Sequence, residues 1–120
     1  MKIKERQTGD ISFLDVEGRI VSGDGEEPFR DAVSRIVELG RVKLIINLAE
    51  VPYIDSAGVS QLVRTFVTTG KRGGGMKLLH ITKRVRELLT ITRLITIWEA
   101  FDSEEKAVEA FKTSTSPARG

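Results

Sequence analysis

The feature that most narrows the fold is the run Val42-Lys43-Leu44-Ile45-Ile46-Asn47-Leu48, followed at a short distance by Pro52. Its central residues are apolar on both faces, the pattern of a strand covered on both sides, so it belongs in the middle of a sheet. Pro52 has no N–H for a ladder and restricts the residue before it, which stops the strand. Beyond it Val59, Leu62, Val63, Phe66 and Val67 recur at helical spacing and predict a helix over residues 57 to 70 with that stripe as its inner face. A buried strand leading directly into an amphipathic helix is the repeating unit of an α/β protein.

The flanking segments extend the pattern. Residues 2 to 8 alternate weakly and predict a short edge strand. Thr8-Gly9-Asp10 is turn chemistry, and Ile11 to Val16 is a better strand, so the two form an antiparallel hairpin. Gly18 fits a bend or bulge after it. Val21-Ser22-Gly23-Asp24-Gly25 is a loop. Pro28 then opens a helix with Phe29, Ala32, Val33, Ile36 and Val37 on one face, and Gly40 ends it. The glycines of residues 70 to 75 end the second helix. Met76 to Ile81 is a strand, Thr82 caps a short helix with Val85, Leu88 and Leu89 inward, and Ile95 to Trp98 predicts a last strand. Asp102, with Glu105 three residues on, predicts the cap of a final helix. Residues 113 to 120 are polar and predict a disordered tail.

Composition limits the chemistry. The 120 residues suit one domain, large enough for a core without a metal or disulfide staple. The 19 basic and 17 acidic residues leave a net charge of +2, which gives no argument for nucleic acid. The absence of cysteine removes thiolate catalysis and Cys-based zinc sites and fits a reducing compartment. Met1 to Arg6 is no secretion signal, and no apolar run approaches a membrane span. A single histidine, His80, has no second ligand of matching type nearby and is read as structural.

The junction Tyr53-Ile54-Asp55-Ser56-Ala57-Gly58 carries the candidate chemistry. Ser56 stands where a helix N-cap is expected, beside an acid and near the positive end of the helix dipole. Such a hydroxyl can hold a helix start or accept a phosphate. Asp55-Ser56-Ala57-Gly58, placed between a hydrophobic strand and a helix, resembles the Asp-Ser-x-Gly signature of the STAS domain family, and more narrowly of bacterial anti-sigma-factor antagonists. Glu17-Gly18-Arg19-Ile20 is similar to a segment of the same family. The resemblance implies an α/β fold: a single STAS domain over residues 1 to 112, with a mixed four- to five-stranded sheet and helices mainly on one face.

It also implies a function. The unmodified protein binds an anti-sigma factor serine kinase and so releases a sigma factor; the kinase phosphorylates Ser56 and ends the interaction; a phosphatase reverses it. Partner-binding residues are then Asp55, Ser56, Gly58 and, in the loop before the first helix, Asp24. No cofactor, metal, nucleic acid or membrane is implied, and the protein is expected in the cytoplasm, without catalytic activity, as a monomer or weak dimer. A second reading of the same fold is a STAS subunit of a stressosome-like or lipid-transport complex. A hydrolase using Ser56 and His80 fits poorly, because Asp-Ser-Ala-Gly is not a nucleophile elbow. Lys71 to Gly75 lacks the Gly-Lys-Ser/Thr ending of a P-loop and is read as a connection.

Overall fold

The computed structural model describes residues 1–114. The tail expected over 113–120 therefore lies outside the described residues, apart from the two that end the last helix. Strands β1 (Lys2–Thr8) and β2 (Ile11–Glu17) form the expected hairpin. They are followed by α1 (Glu26–Glu38), β3 (Lys43–Glu50), α2 (Ser56–Lys71), β4 (Gly75–Leu79), α3 (Lys83–Ile91), β5 (Ala100–Phe101) and α4 (Glu104–Ser114). The five strands lie in sequence order, with β1 antiparallel and the rest parallel.

Strand alternation divides the apolar residues between two cores. One face of the sheet presents Leu14, Val16, Leu44, Ile46 and Leu78 to Phe29, Ile36, Leu62, Val85 and Leu89, from α1, α2 and α3. The other presents Ile11, Phe13, Ile45 and Leu79 to Ala107 and Phe111 of α4. Three helices thus cover one face and one covers the other, which is why β3 has no polar face along its centre.

Two local expectations are corrected. Residues Leu94–Thr96 form a 3₁₀ turn after Arg93, whose φ of 66° is left-handed, and the last strand follows at Ala100–Phe101 instead of Ile95 to Trp98. Trp98 is pulled into the core, where its ring meets Phe66 at a centroid distance of 6.2 Å. The final helix is capped by Ser103, whose hydroxyl accepts from the Lys106 N–H at 3.3 Å, and not by Asp102. His80 is exposed with φ 55°, just past the end of β4, where its N–H bonds the Phe101 carbonyl at 2.8 Å.

Helix α2 is rotated from its predicted orientation. Its buried residues are Gly58, Gln61, Leu62, Thr65 and Thr69, while Val63 and Val67 are 38% and 44% exposed. The threonines become compatible with burial because their hydroxyls donate within the helix. Thr65 bonds the Gln61 carbonyl at 2.8 Å, and Thr69 bonds that of Thr65 at 2.9 Å.

Candidate functional site

The signature loop is held at both ends by apolar burial. Val51 is buried after β3, its N–H returning to the Leu48 carbonyl at 3.0 Å, and Pro52 and Tyr53 then turn outward. Ile54 is buried again and forms a parallel bridge with Ile20, another fully buried residue. This anchor fixes where α2 begins.

The helix is capped by Asp55, not by Ser56 as expected. Asp55 has the extended backbone of a cap (φ −111°, ψ −165°), and its Oδ1 accepts from the N–H groups of Ala57 at 2.9 Å and Gly58 at 3.1 Å. Its Oδ2 accepts from the Ser22 N–H at 3.1 Å, across from the 21–25 loop. These donors, Ser22 foremost, hold the carboxyl below the ordinary carboxylate range. Two chain segments thus converge on one charged side chain.

Ser56 is consequently the first helical residue and is exposed. Among the described residues nothing bonds its hydroxyl. The Ala57 and Gly58 N–H groups are taken by Asp55 Oδ1, and the Val59 N–H donates to the Asp55 carbonyl at 2.9 Å. A group added to the Ser56 oxygen therefore finds most first-turn donors already occupied and projects towards solvent.

Gly58 is buried. A Cβ there would overlap the Ile20 carbonyl and lie 2.9 Å from Ile54 Cβ, so the residue is set by close packing of α2 on the Ile20 segment. Asp24 lies in the loop that Ser22 ties to Asp55. Its backbone closes a turn with Val21, both bonds at 2.9 Å, and its carboxylate faces Arg19 at 3.6 Å. Asp55, Ser56 and the loop carrying Asp24 are brought together, while Gly58 lies beneath them.

The contributions of Ser22 and Ile20 were not visible in the sequence, where 33 and 34 residues separate them from their partners. Nor was the placement of Arg84 over the Tyr53 ring, 5.4 Å from its centroid, beside the signature. No pattern along the chain links these pairs. Among the described residues no group of three His, Asp or Glu side chains could hold a metal ion.

The fold agrees with what comparison with known proteins finds. The STAS domain model matches residues 2–107, and the chain belongs to the STAS domain family. The anti-sigma-B factor antagonist of Bacillus subtilis strain 168 is 34% identical over 80 residues, which is 67% of this chain and 72% of that protein. Among solved structures, an anti-sigma factor antagonist from Mycobacterium paratuberculosis is similar with a TM-score of 0.82 at 20% identity, covering 92% of this chain and 93% of the other. The Bacillus cell fate determinant SpoIIAA in its phosphorylated form is similar with a TM-score of 0.71 at 19% identity, covering 90% and 97%. At these identities the structural likenesses establish the fold.

Proposed function

We propose that the protein is an anti-sigma factor antagonist whose surface around Ser56 binds an anti-sigma factor serine kinase, and that phosphorylation of Ser56 by that kinase ends the interaction. The observation that carries this reading is the exposed Ser56 hydroxyl in a first turn whose Ala57, Gly58 and Val59 N–H groups are already engaged by Asp55. A phosphate there brings about −1.5 to −2 charge at neutral pH. With those donors occupied, little of that charge is neutralised by the helix, and it stays on the docking face. A charge set against an acidic or apolar partner surface costs several kcal/mol, a loss of roughly a thousandfold in affinity.

Asp55 positions the loop in this reading, and the Asp24 loop contributes to the same face. Val59, Val63 and Val67 follow Ser56 along α2 at helical spacing, the last two exposed, which gives that face an apolar stripe. The protein supplies an acceptor and a surface; the kinase supplies ATP and catalysis, and a phosphatase restores the hydroxyl. Such a cycle places the protein in the cytoplasm. Among the described residues no helix is long and apolar enough to cross a membrane.

The test is capture of a kinase by the unmodified protein, followed by incubation of the pair with ATP and mass spectrometry. One added phosphate is expected, on Ser56 and absent from Ser56→Ala, with dissociation of the complex. A Ser56→Asp variant that binds as tightly as wild type would overturn the switch.

A further inference from the structure

The first turn of α3 runs against ordinary helix chemistry. Lys83, Arg84 and Arg86 are exposed there with no acid among them, so three cations stand at the positive end of the helix dipole. Glu87 follows on the same helix, yet among the described residues none of the three makes an ion pair or a side-chain hydrogen bond. Arg84 alone has an aromatic partner, the Tyr53 ring, with its guanidinium 5.4 Å from the centroid. A local choice that weakens a helix, with no ion pair in the chain to offset it, points to a partner outside the chain.

The turn is fixed beside the signature loop. Thr82, its cap, accepts from the Val85 N–H at 3.3 Å, and its hydroxyl donates to the Val51 carbonyl at 3.3 Å. Arg19 reaches the same loop from the segment after β2. Its neighbours hold it there, the Gly18 N–H donating to the Glu50 carbonyl at 3.0 Å and the Ile20 N–H to the Tyr53 carbonyl at 3.4 Å. Arg19, Pro52, Tyr53 and Arg84 together line one open depression, a guanidinium coming from each of the two flanking segments. Arg19 has Asp24 at 3.6 Å, but their side chains are 60% and 54% exposed, and a pair so solvated holds its members weakly.

We propose that this cationic patch docks acidic side chains of the partner protein, which in the reading above is an anti-sigma factor kinase. The inference rests on that reading and adds to it the chemistry of the surface that the partner presents. Carboxylates seated on Arg19, Arg84 and Arg86 account for the effect of a phosphate on Ser56, in the same loop as Tyr53. It faces those carboxylates and draws on the same cations. A protein is favoured over a membrane or nucleic acid for two reasons. The patch is interrupted by Pro52 and the Tyr53 ring, and a net charge of +2 leaves no broad basic field around it.

The test uses the full unmodified chain and the kinase it captures, with affinity and association rate measured in NaCl from about 0.05 to about 0.5 M. Affinity is expected to fall about tenfold or more across that range. R84E/R86E should weaken binding about tenfold or more, chiefly by slowing association, and should flatten the salt dependence. Because it places acids in the first turn of α3, its Tm should stay within about 4 °C of wild type or rise; R84Q/R86Q takes its place if charge reversal prevents folding. K71E/R72E makes the same change of net charge at the far end of α2, well beyond a Debye length from Ser56, and should bind within about twofold of wild type. A kinase that phosphorylates Ser56 but is indifferent to salt and to R84E/R86E would overturn this inference and leave the reading intact. Equal losses in K71E/R72E would do the same, by reducing the effect to net charge. Without a kinase that modifies Ser56, both fall together. Duplex DNA or phosphatidylglycerol vesicles that bind wild type and not R84E/R86E, with kinase affinity unchanged, would also overturn it.

Discussion

At the scale of single residues, the site depends on a division of labour between two neighbours in the chain. Asp55 is committed to structure, with both oxygens engaged by backbone N–H groups from α2 and from the 21–25 loop. Ser56 is committed to nothing within the chain. Asp55→Ala should therefore lower Tm and loosen the 21–25 loop together, the second visible as faster amide exchange at Ser22; a fall in Tm with Ser22 still protected would mean that Asp55 does no more than cap. Gly58→Ala tests the packing beneath. Its Cβ would meet the buried Ile20 carbonyl, an overpacking expected to cost about 1–3 kcal/mol in urea denaturation. An alanine tolerated without loss would mean that α2 and the Ile20 segment are free to separate. The sequence placed this junction correctly but moved the cap by one residue. Serine and aspartate cap equally well, and the Ser22 bond that selects aspartate spans 33 residues.

At the scale of elements, legibility followed the apolar content of each segment. β2, β3, β4 and α1 bury the residues that their periodicity nominates, since β-branched and aliphatic runs there have no other environment to occupy. α2 did not follow, for a physical reason. Thr65 and Thr69 satisfy their hydroxyls on carbonyls one turn back and are buried as if apolar, while Val63 and Val67 are partly exposed and, of the three valines in the expected stripe, only Val59 packs against the core. The last strand was misplaced because Ile95 to Trp98 has strand composition, yet the left-handed Arg93 starts a 3₁₀ turn there and Trp98 docks as a core side chain. The outward valines give a prediction at this scale. Val63→Asp and Val67→Asp should each cost about 1 kcal/mol in urea denaturation and leave the fold intact, since more than half of each side chain is covered but neither belongs to the buried core. If the face beside Ser56 is the docking surface, they should weaken kinase binding about tenfold or more, measured by calorimetry. Undiminished binding would move the interface off α2.

For the whole molecule, the two sheet faces are closed differently, and this decides how the fold responds to acid. α1, α2 and α3 bury one face through a large apolar cluster, whereas α4 closes the other through a smaller one bordered by charges. Arg6 joins β1, β2 and α4 through bonds to Asp15 at 2.6 and 2.9 Å and to Glu104 at 3.1 and 3.2 Å, and Asn47 donates to Asp15 at 2.9 Å. The Arg6 bonds, then Asn47, hold the Asp15 carboxyl below its ordinary value of 3.8. Lys43 does the same for Asp10, and the Ser22 N–H for Asp55. A carboxyl with a lowered pKa in the folded state adds stability that is fully present above its unfolded value and is lost as pH falls through the folded one. Stability should therefore stay level from neutrality to just above pH 4, and then fall as these three groups take up protons. Over the same range the 19 basic residues lose their acidic counterparts and repel one another. The α4 side should open first, because it loses the Asp15 and Glu104 bonds together and has the smaller apolar reserve. Amide exchange followed from pH 5 to pH 2.5 should thus show α4 losing protection before α1 and α2 do. Asp15→Asn, which cannot gain from ionisation, should be less stable at neutral pH and show a shallower acid limb. Simultaneous loss of protection on both faces would place the acid-sensitive contacts elsewhere in the molecule.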